Sequence, residues 1–210
     1  MVIRALIAAL AVSACQTAAQ AQVILPEPEA PVEIPPVPEE LPTPEALDLD
    51  AEAQSLDALF AALATAGDKE WQPLQQQIMA HWSRSRSPSM TLLLGRATRA
   101  MEAEDYEEAL QFLNDLVRLE PGFSEAWNRR ATVHFLRKDY GRSVADIQRT
   151  LALEPRHFGA LAGLGFILDR LDRDEDAYRV FQRALEIHPH LEGAREAVER
   201  LAPDVEGRPL

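Results

Sequence analysis

Apolar positions along this chain follow a helical spacing, and three short motifs mark a longer period. Leu119-Glu120-Pro121, Leu153-Glu154-Pro155 and Ile187-His188-Pro189 lie 34 residues apart. Each motif follows two amphipathic segments that meet at a short polar turn, so the pattern predicts successive antiparallel helix pairs. Asp105, with Glu108 three residues later, is a capping-box-like start for the second helix of the first pair.

The period and the residue types resemble the tetratricopeptide repeat. The last repeat matches the pattern most fully, at Leu161, Leu164-Gly165, Leu168, Ala177, Phe181, Ala184 and Pro189. The first two repeats carry Arg96 and Arg130 where an apolar residue is usual. The resemblance covers residues 90–189 and implies three units, at 90–123, 124–157 and 158–189. It implies an all-α fold, a right-handed α-solenoid of antiparallel helix pairs.

Small and large side chains alternate in a way that suits such a stack. The small residues Ala97, Ala131 and Gly165 allow the two helices of a repeat to approach closely. Larger side chains are expected to fill the space between neighbouring pairs, namely Leu113, Trp127, Ile147, Leu161 and Phe181. A single pair cannot bury its apolar faces, so stability is expected from stacking.

Two apolar stripes before the repeats predict an N-terminal helical hairpin at 46–84, broken at Gly67-Asp68. Pro73 fits the second helix only if that helix starts near Glu70, because proline belongs in a first turn. The hairpin is interpreted as a degenerate repeat or an N-terminal cap of the array.

A polar connection and a closing helix complete the folded part. The connection at 83–89 contains Arg84-Ser85-Arg86-Ser87, which is typical of a solvated loop. Residues 190–203 have one apolar and one charged face, so they predict a C-terminal capping helix followed by a tail at 204–210.

Residues 1–21 have the parts of a secretory leader. Arg4 precedes an apolar run, Ala5 to Val12, and the segment closes on Ala19-Gln20-Ala21. The run is shorter than the ~20 apolar residues that span a bilayer. Cys15, directly behind the run, also resembles a lipobox cysteine, and its lipidation would anchor the chain to the envelope membrane. Both interpretations predict export, most simply to a bacterial periplasm.

Residues 22–45 are unsuited to a packed fold. Eight of the 15 prolines lie between Pro26 and Pro44, and the stretch from Gln22 to Ala66 holds ten acidic and no basic residues. Proline stiffness and carboxylate repulsion predict an extended spacer, with a ligand for a proline-reading domain as the alternative. Because the whole chain carries a net charge of -13, nucleic-acid binding is not expected.

The sequence has few features that indicate chemistry. It contains no glycine-rich phosphate loop, hydrolase elbow or zinc-protease motif. The single cysteine excludes an intramolecular disulfide and a cysteine-cage zinc site. His188 and His190 flank Pro189 and are expected in an exposed loop, because two imidazoles make a poor zinc site. No enzyme, cofactor or metal is therefore predicted.

The resemblance implies a concave groove lined by the first helices of the repeats, where a peptide or helix of another protein is held. By register the groove residues are Leu94, Thr98, Met101, Asn128, Arg129, Thr132, Phe135, Ala162, Phe166, Asp169 and Arg170. Asn128 alone matches the clamp of chaperone-binding members, so chaperone tails are disfavoured. An apolar segment with some acidic residues suits this strip better. Alternatively, Phe135 and Phe166 belong to the interhelix core, or the C-terminal helix or acidic tail covers the groove.

These observations predict an exported, non-catalytic interaction scaffold or assembly module of the cell envelope. The alternatives are a lipid-anchored structural component and, less favoured, an enzyme subunit. Neither the partner nor the oligomeric state follows from the sequence.

Overall fold

The computed structural model describes residues 49–207, and over that range the chain forms nine α-helices and no strand. The helices are α1 Leu49–Thr65, α2 Trp71–Trp82, α3 Pro88–Glu102, α4 Tyr106–Leu119, α5 Ser124–Leu136, α6 Tyr140–Leu153, α7 Phe158–Arg170, α8 Asp174–Ile187 and α9 Glu192–Glu206. Within this range no helix combines the length and apolar content needed to cross a bilayer. The predicted leader, Cys15 and the proline-rich spacer lie outside the described residues.

The expected all-α solenoid of helix pairs is confirmed. Helix α3 packs on α4, α5 on α6 and α7 on α8, and each pair also packs on the next. The turns inside the pairs repeat as well, because Glu104, Lys138 and Asp172 adopt the left-handed backbone region, with φ of 58°, 62° and 55°. Positive φ ends each first helix abruptly and reverses the chain.

Side-chain caps begin the second helices of the first two pairs. The Asp105 carboxylate accepts a hydrogen bond from the Glu108 backbone N–H at 3.0 Å, as the capping-box pattern predicts. Asp139 accepts from the Arg142 N–H in the same way, at 3.2 Å. Because both caps recur at one register, the sequence period is reproduced in hydrogen bonding as well as in packing.

The close approach predicted within the third pair is confirmed at Gly165. A Cβ atom on Gly165 would lie 2.5 Å from the Phe181 ring, which is fully buried. Ala97 and Ala131 are likewise buried at the equivalent positions of the first two pairs. The small residues are therefore required by the ring or helix that lies opposite.

Arg130 departs from the repeat pattern but is satisfied by a local ion pair. Its guanidinium donates to both carboxylate oxygens of Asp146, at 2.7 and 2.8 Å, and a third nitrogen donates to Asn114. The same group lies over the Trp127 ring, 4.8 Å from its centre. Bidentate geometry compensates for taking both charges out of water.

Helix α9 closes the array, as the amphipathic pattern predicted. Ala194, Ala197 and Leu201 are buried in one cluster with Tyr178 and Phe181 of α8. The helix extends three residues beyond the predicted end at 203.

The N-terminal hairpin lies in a different place from the one expected for a degenerate repeat or a cap. Helices α1 and α2 form the hairpin, but their apolar stripes pack on the turns between repeats and on α8, not in front of α3. Phe60 and Trp82 share a cluster with Phe158, Ile187 and Leu191. These residues lie where one repeat passes to the next, so the hairpin lies along one edge of the solenoid.

Candidate functional site

A cleft separates the first helices of the second and third repeats. Its volume is about 220 Å³. Helix α7 contributes Gly159 and Gly163 to its wall, and a Cβ on Gly163 would meet only ordinary contact with Ile147, at 3.7 Å. Because these two residues have no side chain, α7 leaves room between the helices for an apolar side chain. We call it the α5–α7 cleft, and its lining includes Asn128, Ala131, Thr132, Phe135, Ala162 and Phe166.

Five of the predicted groove residues meet at this cleft: Asn128, Thr132, Phe135, Ala162 and Phe166. Arg170 lies beside it, with its guanidinium carbon 5.7 Å from the centre of the Phe135 ring. The structure therefore assembles the second-repeat and third-repeat parts of the predicted strip into one surface.

The first repeat contributes less than predicted. Leu94 was expected on the groove but is 4% exposed and belongs to the core between α3, α4 and α5. Met101 is partly buried against the same core, and Thr98 is half-buried. In this repeat α3 uses that register to pack on its neighbours, so none of the three residues lines the α5–α7 cleft.

The two phenylalanines serve both the core and the surface. Phe166 is 37% exposed and packs edge-on against Phe181, with ring centres 5.0 Å apart. Phe135 is half-buried and packs at a tilt against Tyr140, at 5.8 Å. Anchored rings of this kind offer apolar contact area with little loss of side-chain entropy on binding.

Beside the cleft, Glu125 forms a buried acidic centre that the sequence did not reveal. Its side chain is almost fully buried and accepts hydrogen bonds from Arg129 at 2.6 Å, Asn128 at 3.1 Å and His157 at 3.1 Å. The Nδ1 atom of His157 accepts from the Ala160 N–H, so the ring proton lies on Nε2. A glutamate four residues before an arginine is a common surface pair, and nothing local marked it as buried.

These hydrogen bonds hold Glu125 in its charged form. Burial alone raises the pKa of Glu125, but the His157 hydrogen bond and the Arg129 charge outweigh it and lower that pKa below its usual value. Asn128 and Arg129 are consequently fixed in position. They line a second cleft, of about 200 Å³, next to the first.

Helix α2 borders this second cleft from the hairpin side. The Trp82 indole stacks on the His157 imidazole, with ring centres 4.0 Å apart and an 11° angle between the planes. Met79 lies on the same lining and is partly exposed. The hairpin thus contributes side chains to the surface that the first helices present.

His188 and His190 are not in an exposed loop, contrary to the prediction. His188 is fully buried; its Nε2 donates to Gln75 at 2.6 Å, and its ring meets the Phe158 ring edge-on at 4.9 Å. His190 stacks on Trp71 at 5.7 Å. The exposed-loop expectation fails because the hairpin, whose location the sequence did not reveal, covers this turn.

Burial has an electrostatic consequence at this turn. It lowers the pKa of His188 to about 4, and the neighbouring His190 adds to the shift. Within residues 49–207, no three His, Cys, Asp or Glu side chains are grouped to hold a metal ion.

Comparison with known proteins gives one extensive sequence match. The chain is 37% identical over 155 residues to a TPR repeat-containing protein of Rhizobium etli, covering 73% of this chain and 76% of the other. No protein-family model matches it.

Two solved structures illustrate the fold. The first TPR domain of Spaghetti (RPAP3), bound to an HSP90 peptide, has a TM-score of 0.53 at 19% identity and covers 56% of this chain and 93% of that domain. The crystal structure of MamA has a TM-score of 0.52 at 17% identity and covers 76% of this chain and 84% of that one. At these identities the similarity shows the fold alone.

Proposed function

Because the chain belongs to the tetratricopeptide repeat family, we propose that it is a non-catalytic interaction module whose α5–α7 cleft holds a segment of a partner protein. Proteins of this family mediate protein–protein interactions. The observation that supports the proposal is the open cleft between two first helices, lined by anchored but accessible aromatic rings. The RPAP3 domain is an example of the same fold with a bound peptide.

The chemistry of the cleft favours an apolar side chain as the anchor of the bound segment. Phe135 and Phe166 supply apolar contact, while Asn128 and Thr132 offer polar groups to a peptide backbone. The Arg170 guanidinium beside the Phe135 ring favours an acidic residue next to the anchor.

Affinity purification from the native envelope tests this use of the cleft. Thr132→Arg places a long charged side chain in the cleft from an exposed position, so it should remove the partners that this cleft holds while leaving helicity unchanged. Gln148→Arg adds the same side chain at an exposed position on α6 and is the matched control. Recovery of the same partners with both variants would contradict the proposal.

We also propose that the chain works outside the cytoplasm, in the periplasm. The support is the leader-like pattern of residues 1–21, followed by an acidic, proline-rich segment suited to a spacer. Mass spectrometry of the mature N-terminus after cell fractionation tests this. A chain that begins at Gln22 in the periplasmic fraction is expected, and an intact Met1 in the cytosol would contradict export.

Lipidation at Cys15 is the specific alternative and has its own readout. The cysteine directly behind the apolar run supports it. Incorporation of labelled palmitate, lost in Cys15→Ala, would identify a lipid-anchored component in place of a released one.

A further inference from the structure

Three turns follow the second helices of the repeats: the first joins α4 to α5, the second α6 to α7 and the third α8 to α9. The hairpin covers the second and the third of these turns. At the second turn, Asp57 pairs with Arg156 at 2.6 Å, and the Phe60 ring lies 4.3 Å from the same guanidinium carbon. At the third turn, Trp71 and Gln75 contact the histidine at position 188. Each of these turns is thus contacted by two side chains of a single helix. They are three residues apart on α1 at the second turn and four residues apart on α2 at the third.

At the first turn a cleft remains between the hairpin and the array. The contact there is made by the connection between α2 and α3, where the Ser85 hydroxyl donates to Glu120. The adjoining cleft has a volume of about 600 Å³. We call it the first-turn cleft, and its lining includes Leu56, His81, Trp82, Arg84, Arg86, Phe123 and Leu153.

The acidic and basic side chains of the first-turn cleft differ in whether they have partners. Its two acidic side chains have partners, since Glu120 accepts from Ser85 and Glu154 pairs with Arg156. Arg84 and Arg86 are exposed, and within residues 55–205 neither forms an ion pair. The cleft therefore offers two available guanidinium groups, which bind carboxylates with paired hydrogen bonds.

Apolar side chains lie beside these arginines. Leu56, Trp82 and Phe123 belong to the lining and are 8%, 7% and 5% exposed. The Trp82 indole Nε1 is the one buried side-chain nitrogen or oxygen, among the described residues, that lacks a hydrogen-bond partner. Because this nitrogen is closed to solvent, the cleft offers an occupant apolar contact and the two guanidinium groups.

We propose that the first-turn cleft is a second docking surface, which binds a segment of a partner protein carrying a carboxylate next to a bulky apolar side chain. The chain itself provides the precedent at the second turn, where Asp57 and Phe60 of α1 present that pair to Arg156. The surface goes beyond the α5–α7 cleft, because Arg84 and Arg86 do not line that cleft.

Site-specific photo-cross-linking in the full chain tests the proposal. A benzoylphenylalanine at His81, on the lining, is compared with one at Gln111, on the exposed side of α4. We expect one partner segment at position 81, with Asp or Glu within a few residues of Leu, Ile or Phe, and background labelling at position 111.

Charge variants show whether the arginines recognise that segment. The double variant Arg84→Glu, Arg86→Glu should reduce the cross-link about tenfold or more, the effect of losing charge-assisted hydrogen bonds. The double variant Arg84→Lys, Arg86→Lys keeps the charge and should retain most of it. Thr132→Arg should leave it unchanged, which separates failure here from failure of the α5–α7 cleft.

Several results would overturn the proposal. The first is labelling at position 81 that is no stronger than at position 111, and the second is a cross-linked segment without acidic residues. The third is a cross-linking yield that the double Arg→Glu variant does not change. The fourth is cross-linking to lipid or to residues 22–45 of the chain itself. Far-ultraviolet circular dichroism of each variant, which should match that of the unmodified protein, ensures that a lost cross-link reports recognition and not unfolding.

Discussion

The repeat stack and the hairpin interface are held together by different kinds of contact. Inside the stack, an apolar ring such as Phe181 fits against a glycine, and the same arrangement recurs with small variations in each repeat. Under the hairpin, Trp82 stacks on His157, and Gln75 takes a hydrogen bond from His188. One region therefore depends on close packing, whereas the other includes the buried His188, whose pKa is lowered to about 4, and is sensitive to pH.

The largest effect is expected from a cavity in the stack. Phe181→Ala removes a fully buried ring, so it should lower the free energy of unfolding by about 3–5 kcal/mol. Urea denaturation followed by circular dichroism measures this. Leu171→Ala, at a half-exposed leucine in the α7–α8 turn, is the control and should cost only about 0.5 kcal/mol. Equal losses in both variants would show that the stack is not closely packed around Phe181.

Acid should weaken the hairpin interface by somewhat less than Phe181→Ala weakens the stack. The pKa of His188 is about 4 in the folded protein and about 6.5 when unfolded, so between these values the unfolded chain binds more protons. Stability is therefore complete above pH 6.5 and is lost as the pH falls towards 4, by about 3 kcal/mol. Hydrogen exchange of residues 71–82 at pH 7 and pH 4.5 measures the loss.

His188→Gln isolates this histidine from other acid effects. His134 in the stack also has a pKa lowered by burial, so some acid sensitivity should persist in the variant. The protection of the amides of residues 71–82 from hydrogen exchange should nevertheless change less with pH than in the parent protein. An unchanged pH dependence would mean that His188 does not govern the hairpin.

Two glycines in first helices should respond oppositely to the same substitution. Gly165→Ala puts a methyl group into the Phe181 ring and should cost about 1–3 kcal/mol through overpacking. Gly95→Ala meets nothing within 4 Å on the exposed side of α3, so it should stabilise the protein by about 1 kcal/mol. Thermal unfolding of both variants measures the two signs. Stabilisation by Gly165→Ala would show that the third helix pair is looser than described.

The stack could be predicted from sequence because its contacts are periodic. The small residue at Gly165, its partner Phe181 and the cap at Asp105 all follow from positions within a 34-residue repeat. The third-repeat part of the groove followed from the same register. Leu94 did not, because a register position states which way a residue points only when neighbouring repeats pack alike, and α3 packs differently there.

The hairpin interface could not be predicted because nothing in it repeats. Trp71 and His190 stack on each other although they are more than a hundred positions apart in the sequence. This separation does not recur as a spacing in the chain. A proline motif flanked by histidines looks solvated unless the element covering it is known. The buried Glu125 has the same origin, since its surroundings include His157 from the α6–α7 turn and Trp82 from α2.

The separate response of the two regions can be measured most directly by urea unfolding with two probes. In a Trp127→Phe variant, the remaining tryptophans Trp71 and Trp82 both lie in the hairpin, so fluorescence reports on that interface while circular dichroism reports on all helices. The fluorescence transition should occur at lower urea than the dichroism transition, and the gap should widen from pH 7 to pH 5. Coincident transitions at both pH values would contradict a hairpin held by contacts of its own.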